Sequence, residues 1–269
     1  MFKQTKLSSL VSGAFLVMAG ATQAIAANTQ FDNFTALPNS VAAGSLPEEK
    51  PFQLSSPLFS QHTLDANTLP GTNERRGDNW DMITANETGP DAGRYLFSPY
   101  ETDTAGVKRY DLQTGNSLTV VAEGTQGFVG GDASYWTPWG SYLTAEEEWE
   151  AGGTKGRLFE LTNSTTTTGP ATSDFVSRDI IPRVSHEGLA FDKNNDMYFI
   201  DEFNGGSIYK YVSANPNAAD GDGYFAAGQT FAMLVDGGNN ANATGAITWA
   251  AITDVNGGAL TGVSVVNNG

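Results

Sequence analysis

The chain of 269 residues contains no cysteine, which excludes disulfide bonds, cysteine-bound zinc and thiol catalysis. Basic residues are also few, because 14 Lys and Arg stand against 30 Asp and Glu, for a formal net charge of −16. Binding to a nucleic-acid backbone or to an anionic membrane surface requires many Lys and Arg contacts. Neither partner is therefore expected.

Several catalytic signatures are missing as well. The sequence has no G-x-S-x-G elbow, no P-loop and no H-E-x-x-H motif, so nucleophilic serine chemistry has no support. Amphipathic helical periodicity is almost absent after the N-terminus. Apolar residues make up 39% of the chain and aromatic residues 11%, which is enough to build a core. This composition predicts an all-β globular protein, which we expect to be a monomer.

The N-terminus has the features of a secretory signal. Lys3 and Lys6 supply a positive n-region, residues 7–21 are mostly apolar, and residues 24–26 (AIA) match a small-x-small cleavage site. The apolar stretch is interrupted by serines and is shorter than the roughly 20 residues of a membrane-spanning helix. We therefore predict that residues 1–26 are a signal peptide and that the mature protein is periplasmic or secreted, without a membrane anchor.

The remaining chain changes in composition near residue 75. Residues 27–74 are rich in Ser, Pro, Asn and Thr with sparse apolar positions, which predicts an irregular N-terminal arm. Residues 75–269 contain a strand repeat. Its three copies are Tyr95–Glu101, Tyr142–Glu148 and Met197–Phe203.

Each copy is followed by an alternating strand that begins at a glycine, and these glycines are Gly106, Gly156 and Gly206. The repeat length is therefore 50 residues in both intervals. Strand repeats of about 40–50 residues are typical of propeller blades. The sequence predicts a β-propeller with at least three blades, and a further blade is expected to start at residues 228–234.

Acidic residues recur where the first strand of each repeat ends. They are Glu101 and Asp103, then Glu146, Glu147 and Glu148, then Asp201 and Glu202. Equivalent strand ends of successive blades converge near the propeller axis, and converging carboxylates repel one another unless a cation or a proton lies between them. Clusters of oxygen ligands suit Ca²⁺, Mg²⁺ or Mn²⁺. The alternative is that these acids are solvated loop charges.

A set of motifs in this region is distinctive in combination. The motifs are Gly106–Asp111 (GVKRYD), Thr137–Glu147 (TPWGSYLTAEE), Gly156–Leu161 (GRLFEL), Arg183–Glu187 (RVSHE) and Tyr198–Glu202 (YFIDE). Over about residues 75–255 they resemble the PhoX-type bacterial alkaline phosphatases. The resemblance implies an exported β-propeller that hydrolyses phosphate monoesters at a cluster of calcium and ferric ions.

The resemblance also implies metal ligands. Glu146, Glu147 and Glu187 match ligand positions, and Glu202 joins them as a strand-end acid. The family has two cysteines in this region, one of them an iron ligand, and the matching positions here are Asp132 and Ala145. Asp132 offers an oxygen ligand, which suits calcium better than iron. We therefore expect calcium at Asp132, Glu146, Glu147, Glu187 and Glu202, and the missing thiolate argues against iron.

Three functions stay open at this point. The first is a metal-dependent phosphomonoesterase for a small phosphoester, in which Arg183 contacts phosphate; pairing of Arg183 with a surface acid is the alternative. The second is a non-catalytic, calcium-stabilised propeller that binds a partner. The third is a lactonase or esterase, since residues 186–192 (HEGLAFD) have a counterpart in that group. Family members continue beyond the length of this chain, so the resemblance implies a truncated or divergent member.

Overall fold

The computed structural model describes residues 36–47, 50–57, 59–64, 79–149, 153–171, 173–203, 206–236 and 244–263. The predicted signal peptide lies outside these residues. The chain divides into two compact units, residues 1–63 and residues 64–269. The described part of the first unit contains turns and bends without a helix or strand. Nowhere in the described ranges is a helix long and apolar enough to cross a membrane.

The described part of the second unit consists of three antiparallel sheets that follow one another along the chain. Sheet I contains β1 (Thr84–Ala85), β2 (Tyr95–Pro99), β3 (Val107–Asp111) and β4 (Asn116–Val121). Sheet II contains β5 (Gly131–Trp136), β6 (Tyr142–Glu146), β7 (Leu158–Leu161) and β8 (Phe175–Ser177). Sheet III contains β9 (His186–Phe191), β10 (Met197–Asp201), β11 (Ile208–Ser213), β12 (Gly228–Val235) and β13 (Ile247–Ala251). A 3₁₀ turn (Thr125–Gly127) and one helical turn, α1 (Gly221–Tyr224), lie in the connections.

This architecture confirms the all-β prediction and the blade-like repeat. In every sheet each strand pairs with its neighbour in sequence, which is the topology of a propeller blade. The repeated strands are the second and third strands of the sheets: β2, β6 and β10, followed by β3, β7 and β11. The expectation of a further blade at residues 228–234 is wrong, because this segment is β12 and pairs with β11 inside sheet III.

Aromatic side chains hold the sheets together. Between sheets I and II, the Phe97 ring stacks on Tyr142, with ring centroids 4.9 Å apart. Between sheets II and III, Tyr135 contacts Phe191 at 5.4 Å. Stacked aromatic pairs add to the stability gained by burying their area. β5 contacts both β1 and β9, so the first strands of the three sheets lie side by side.

Candidate metal centre

The same backbone position recurs at one end of each sheet. In sheets II and III the residue that begins the first strand pairs with the one that ends the second strand, and these pairs are Gly131 with Glu146 and His186 with Asp201. In sheet I the corresponding pair is an isolated bridge between Trp80, before β1, and Tyr100, directly after β2. The residue that follows each member of a pair is acidic. These six acids are Asp81 and Glu101, Asp132 and Glu147, and Glu187 and Glu202. Each sheet thus contributes two carboxylates from equivalent positions.

An extra residue in the first strand helps to orient these side chains. Between Gly131 and Ser134 the register of β5 shifts against β6, so two residues of β5 oppose one of β6, and Asp132 is the first of the two. The same shift follows His186 in β9, where Glu187 occupies the equivalent place. β-Bulges of this kind bend the strand and redirect a side chain. Both acids therefore leave the regular alternation of the strand.

The six acids form one group, which we call the carboxylate ring. Oxygen atoms of Asp132, Glu187 and Glu202 all lie within 4.8 Å of one another. Glu202 also contacts Glu147, and Glu147 contacts Glu101. Asp81 closes the ring, because it contacts Glu101 and interacts electrostatically with Asp132 and Glu187.

Burial, together with the neighbouring acids, raises the pKa values of Asp132, Glu147, Glu101 and Glu187. Burial, followed by repulsion from Asp81 and Glu187, raises the pKa of Asp132 to about 9. Burial and the contact with Glu202 raise the pKa of Glu147 to about 8. The pKa values of Glu101 and Glu187 are raised as well, again with burial as the largest cause. Without a cation, the folded protein therefore retains protons in the ring at neutral pH.

Asp132 has a further feature that indicates a ligand. Its side chain is only 2% exposed. Within the described part of the chain its Oδ1 atom has no hydrogen-bond partner. A buried oxygen without a partner is costly, and in native proteins such atoms usually have a reason, such as a bound ion. Asp132 therefore fits the role of a cation ligand.

Glu146, a predicted ligand, is not brought into the carboxylate ring. It is fully buried and forms an ion pair with Arg157, with 2.6 Å between Oε1 and Nη2. Its Oε2 atom accepts hydrogen bonds from Nε and the backbone N–H of Arg157, at 2.9 and 3.0 Å. Asp201, at the equivalent place in sheet III, accepts hydrogen bonds from the backbone N–H groups of Ser185 and Phe203. Both acids brace the backbone beside the ring.

Arg183 is exposed, and its Nη1 atom donates a hydrogen bond to the backbone carbonyl of Thr154. No hydrogen bond or ion pair recorded for the described residues joins its guanidinium group to the carboxylate ring. The phosphate contact suggested for Arg183 stays a prediction.

His186 directly precedes Glu187 of the carboxylate ring, but its side chain packs in the hydrophobic core. Its ring is fully buried and lies 5.4 Å from the ring of Phe199. Burial lowers the pKa of His186 to about 3, so the imidazole is neutral at physiological pH. It therefore adds no positive charge near the acids.

Two members of the ring were not among the ligands predicted from the sequence. Glu101 was noted only as a strand-end acid, and Asp81 was missed. The spacing of the acids could have indicated that they occupy equivalent positions, because Asp132 and Glu147 are fifteen positions apart and so are Glu187 and Glu202. Asp81 and Glu101 are twenty positions apart, since the loop in sheet I is longer, and this hides the correspondence.

The TPWG motif lies at the opposite end of sheet II, in the turn between β5 and β6. There the Nε1 atom of Trp139 donates a hydrogen bond to the buried Glu160 at 2.8 Å, and Ser141 donates to the same carboxylate oxygen. Glu160 also forms an ion pair with Arg178. The motif therefore holds the fold together at a distance from the acids.

Glu146 and Glu147 are adjacent in sequence, but only Glu147 belongs to the carboxylate ring, so substituting each in turn tests which acid binds calcium. Glu146→Gln is expected to lower the free energy of unfolding by roughly 2–4 kcal/mol, because Arg157 loses its buried partner. The same variant should retain the rise in melting temperature on addition of calcium. Glu147→Gln should show the reverse pattern, with little loss of stability and a reduced response to calcium. Thermal melts in EDTA and in millimolar calcium measure both, and equal calcium responses in the two variants would contradict the assignment.

No protein-family model matches the chain, and no curated protein matches it. Among solved structures, the chain is similar to PhoX of Pseudomonas fluorescens in complex with vanadate, a transition state analogue, with 16% sequence identity and a TM-score of 0.43. The match covers 66% of this chain and 50% of that chain, so it spans half the length of the PhoX structure.

Proposed function

We propose that the carboxylate ring binds calcium ions and that the calcium-loaded protein hydrolyses phosphate monoesters. The observation that carries the proposal is the placement of six carboxylates by three sheets at one recurring backbone position. Such a gathering of carboxylates is unfavourable unless the acids retain protons or a cation is bound, and a bound cation lets them ionise at neutral pH. The buried Oδ1 atom of Asp132, which has no partner among the described groups, supports this reading.

The donor set fits a hard cation. All six side chains offer carboxylate oxygens, and the flexible coordination of calcium by six to eight oxygens suits such a group. Asp132, Glu187 and Glu202 would hold one ion, since their oxygens are closest together. Glu147 and Glu101 extend the site from Glu202, and Asp81 closes it between Glu101 and Asp132. Iron fits less well, because the chain has no thiolate to offer.

Phosphate ester hydrolysis is supported by the sequence resemblance to the PhoX-type phosphatases. Bound calcium would neutralise the acids and coordinate phosphate oxygens, which allows an acidic protein to take an anionic substrate. In the reaction the ester P–O bond breaks, phosphorus gains the hydroxyl of water, and the released alcohol takes the proton. The ring residues position the cations. The same proposal includes export, in keeping with the predicted signal peptide.

The test is turnover of p-nitrophenyl phosphate by the purified chain in EDTA and in millimolar calcium. We expect calcium-dependent release of phosphate and a loss of more than about 100-fold in Glu187→Gln, since this variant removes a ligand. Glu87→Gln is the matched control, because Glu87 is exposed in the loop after β1 and lies outside the ring. Turnover that is indifferent to calcium or to Glu187→Gln would contradict the proposal.

A calcium-stabilised binding module is the second candidate. One observation favours it: Arg183, the predicted phosphate contact, donates to a backbone carbonyl rather than reaching the ring. In this case calcium would raise the melting temperature without any phosphatase activity. Turnover of a lactone in place of the phosphoester would instead identify the hydrolase alternative.

A further inference from the structure

Two aromatic side chains flank the carboxylate ring, and we call them the aromatic rim. Trp149 follows Glu147 by two positions, and Phe203 directly follows Glu202. Their ring centroids are 6.1 Å apart and their planes are inclined by 49°. The rim thus joins the chain segments that leave sheet II and sheet III just after their ring acids.

Hydrogen bonds tie the aromatic rim to the acids. The Nε1 atom of Trp149 donates to Oε1 of Glu147, so the indole is one hydrogen bond away from a ring member. The backbone N–H of Phe203 donates to Oδ1 of Asp201 at 3.1 Å, which fixes the chain beside Glu202. Despite this anchoring the Trp149 side chain is 50% exposed. A large aromatic surface is therefore held open to solvent at the edge of the acidic site.

The surroundings of the aromatic rim select for one kind of group. The carboxylate ring repels a negatively charged substituent that extends past the bound cations. An exposed aromatic surface instead favours a flat, uncharged ring, since stacking on Trp or Phe gains contact area and is tolerant of ring type. Because Trp149 is hydrogen-bonded to Glu147 and Phe203 directly follows Glu202, the aromatic rim adjoins the acids that would hold the cations and, through them, a phosphate.

We propose that Trp149 and Phe203 bind the planar aromatic group of the phosphoester, so that aryl or nucleoside monophosphates are preferred over aliphatic ones. This inference rests on the proposed phosphate site at the carboxylate ring. It assigns the aromatic rim to substrate selection and leaves the cations to the acids. The planar group could belong to a simple aryl ester or to the base of a nucleoside, because both stack on Trp and Phe in the same way.

The test measures binding to the calcium-loaded full chain with phosphonates, whose C–P bond is not hydrolysed. The probes are methylphosphonate, phenylphosphonate and the 5′-phosphonate analogue of adenosine monophosphate, titrated by calorimetry. We expect the two aromatic probes to bind about tenfold more tightly than methylphosphonate. Trp149→Ala should abolish this preference, and Trp149→Phe should keep most of it. If the adenosine analogue binds more tightly than phenylphosphonate, the preferred substrate is a nucleoside monophosphate. If the two bind with equal affinity, a simple aryl group accounts for the preference.

Control variants separate the two proposals. Trp249→Ala removes a partly exposed tryptophan from β13, the outermost strand of sheet III, and should leave all affinities unchanged. Trp149→Phe and Trp149→Ala both lose the hydrogen bond to Glu147, so methylphosphonate should bind these two variants equally, because it does not reach the rim. Equal affinity of the wild type for all three probes, or a preference that survives Trp149→Ala, would overturn the rim assignment alone. Failure of every phosphonate to bind would overturn the proposed function and the rim assignment together.

Discussion

Asp132→Asn is expected to stabilise the metal-free protein and to remove most of the stabilisation by calcium. In the metal-free state Asp132 is buried, its Oδ1 atom lacks a partner among the described residues, and Glu187 and Asp81 oppose its ionisation. Folding at neutral pH therefore requires Asp132 to take up a proton, and an amide of the same shape removes this cost because it is already uncharged. We expect a rise in melting temperature of about 3–6 °C in EDTA, which corresponds to about 1–2 kcal/mol for a domain of this size.

The calcium response should change in the opposite direction. A ligand that binds only the native state at a hundredfold excess over its Kd stabilises it by about 2.7 kcal/mol. Asn is a neutral ligand, so the variant should lose most of this gain. Melting curves of wild type and Asp132→Asn in EDTA and in calcium measure both effects. A destabilised variant with an unchanged calcium response would show that Asp132 has a structural role only.

The stability of the metal-free protein should fall as the pH rises from 6.5 to 9. The pKa of Asp132 rises from 3.8 in the unfolded chain to about 9, and that of Glu147 from 4.5 to about 8. Groups with a raised pKa keep their protons in the folded state, so their contribution is complete below pH 4 and is lost as the pH rises through 8 and 9. His186 acts in the opposite direction and only near pH 6.5, because its pKa is 6.5 in the unfolded chain and about 3 in the folded protein, so the imidazole is neutral in both states only above about pH 7.5.

We expect a decrease in melting temperature of about 2–4 °C per pH unit, after allowance for solvent screening at the partly exposed Glu147. Saturating calcium should flatten or reverse this slope, because cations bind the deprotonated acids and release their protons. Thermal melts at pH 6.5, 7.5 and 8.5, with EDTA or calcium, provide the measurement. The same slope in both conditions would mean that the raised pKa values are unrelated to cation binding.

Much of the fold could be predicted from the sequence, because its signals are local. Alternating strands, turn residues and a repeat of 50 residues indicate consecutive antiparallel sheets, which the structure contains. The error at Gly228 has a physical reason. An alternating strand has the same pattern whether it starts a sheet or completes one, and only pairing with β11 decides between the two.

The candidate site could be predicted only in part. Asp132, Glu147, Glu187 and Glu202, four of the five predicted ligands, lie together in the carboxylate ring. Glu146 could not be separated from Glu147 by sequence, because consecutive residues point to opposite sides of a strand and the end of β6 had to be known first. Its partner Arg157 is also distant in sequence and is brought near by the β6–β7 pairing.

The origin of the carboxylate ring in three separate sheets has a kinetic consequence. Each sheet can form its own strands from local contacts, but the six acids meet only after the faces of the sheets have docked. A cation bound among them therefore contributes little to the barrier of folding, where these contacts are still absent, and must be released before the sheets part. Calcium would then act mainly on the lifetime of the native state. Its loss would open the protein more often without slowing its refolding.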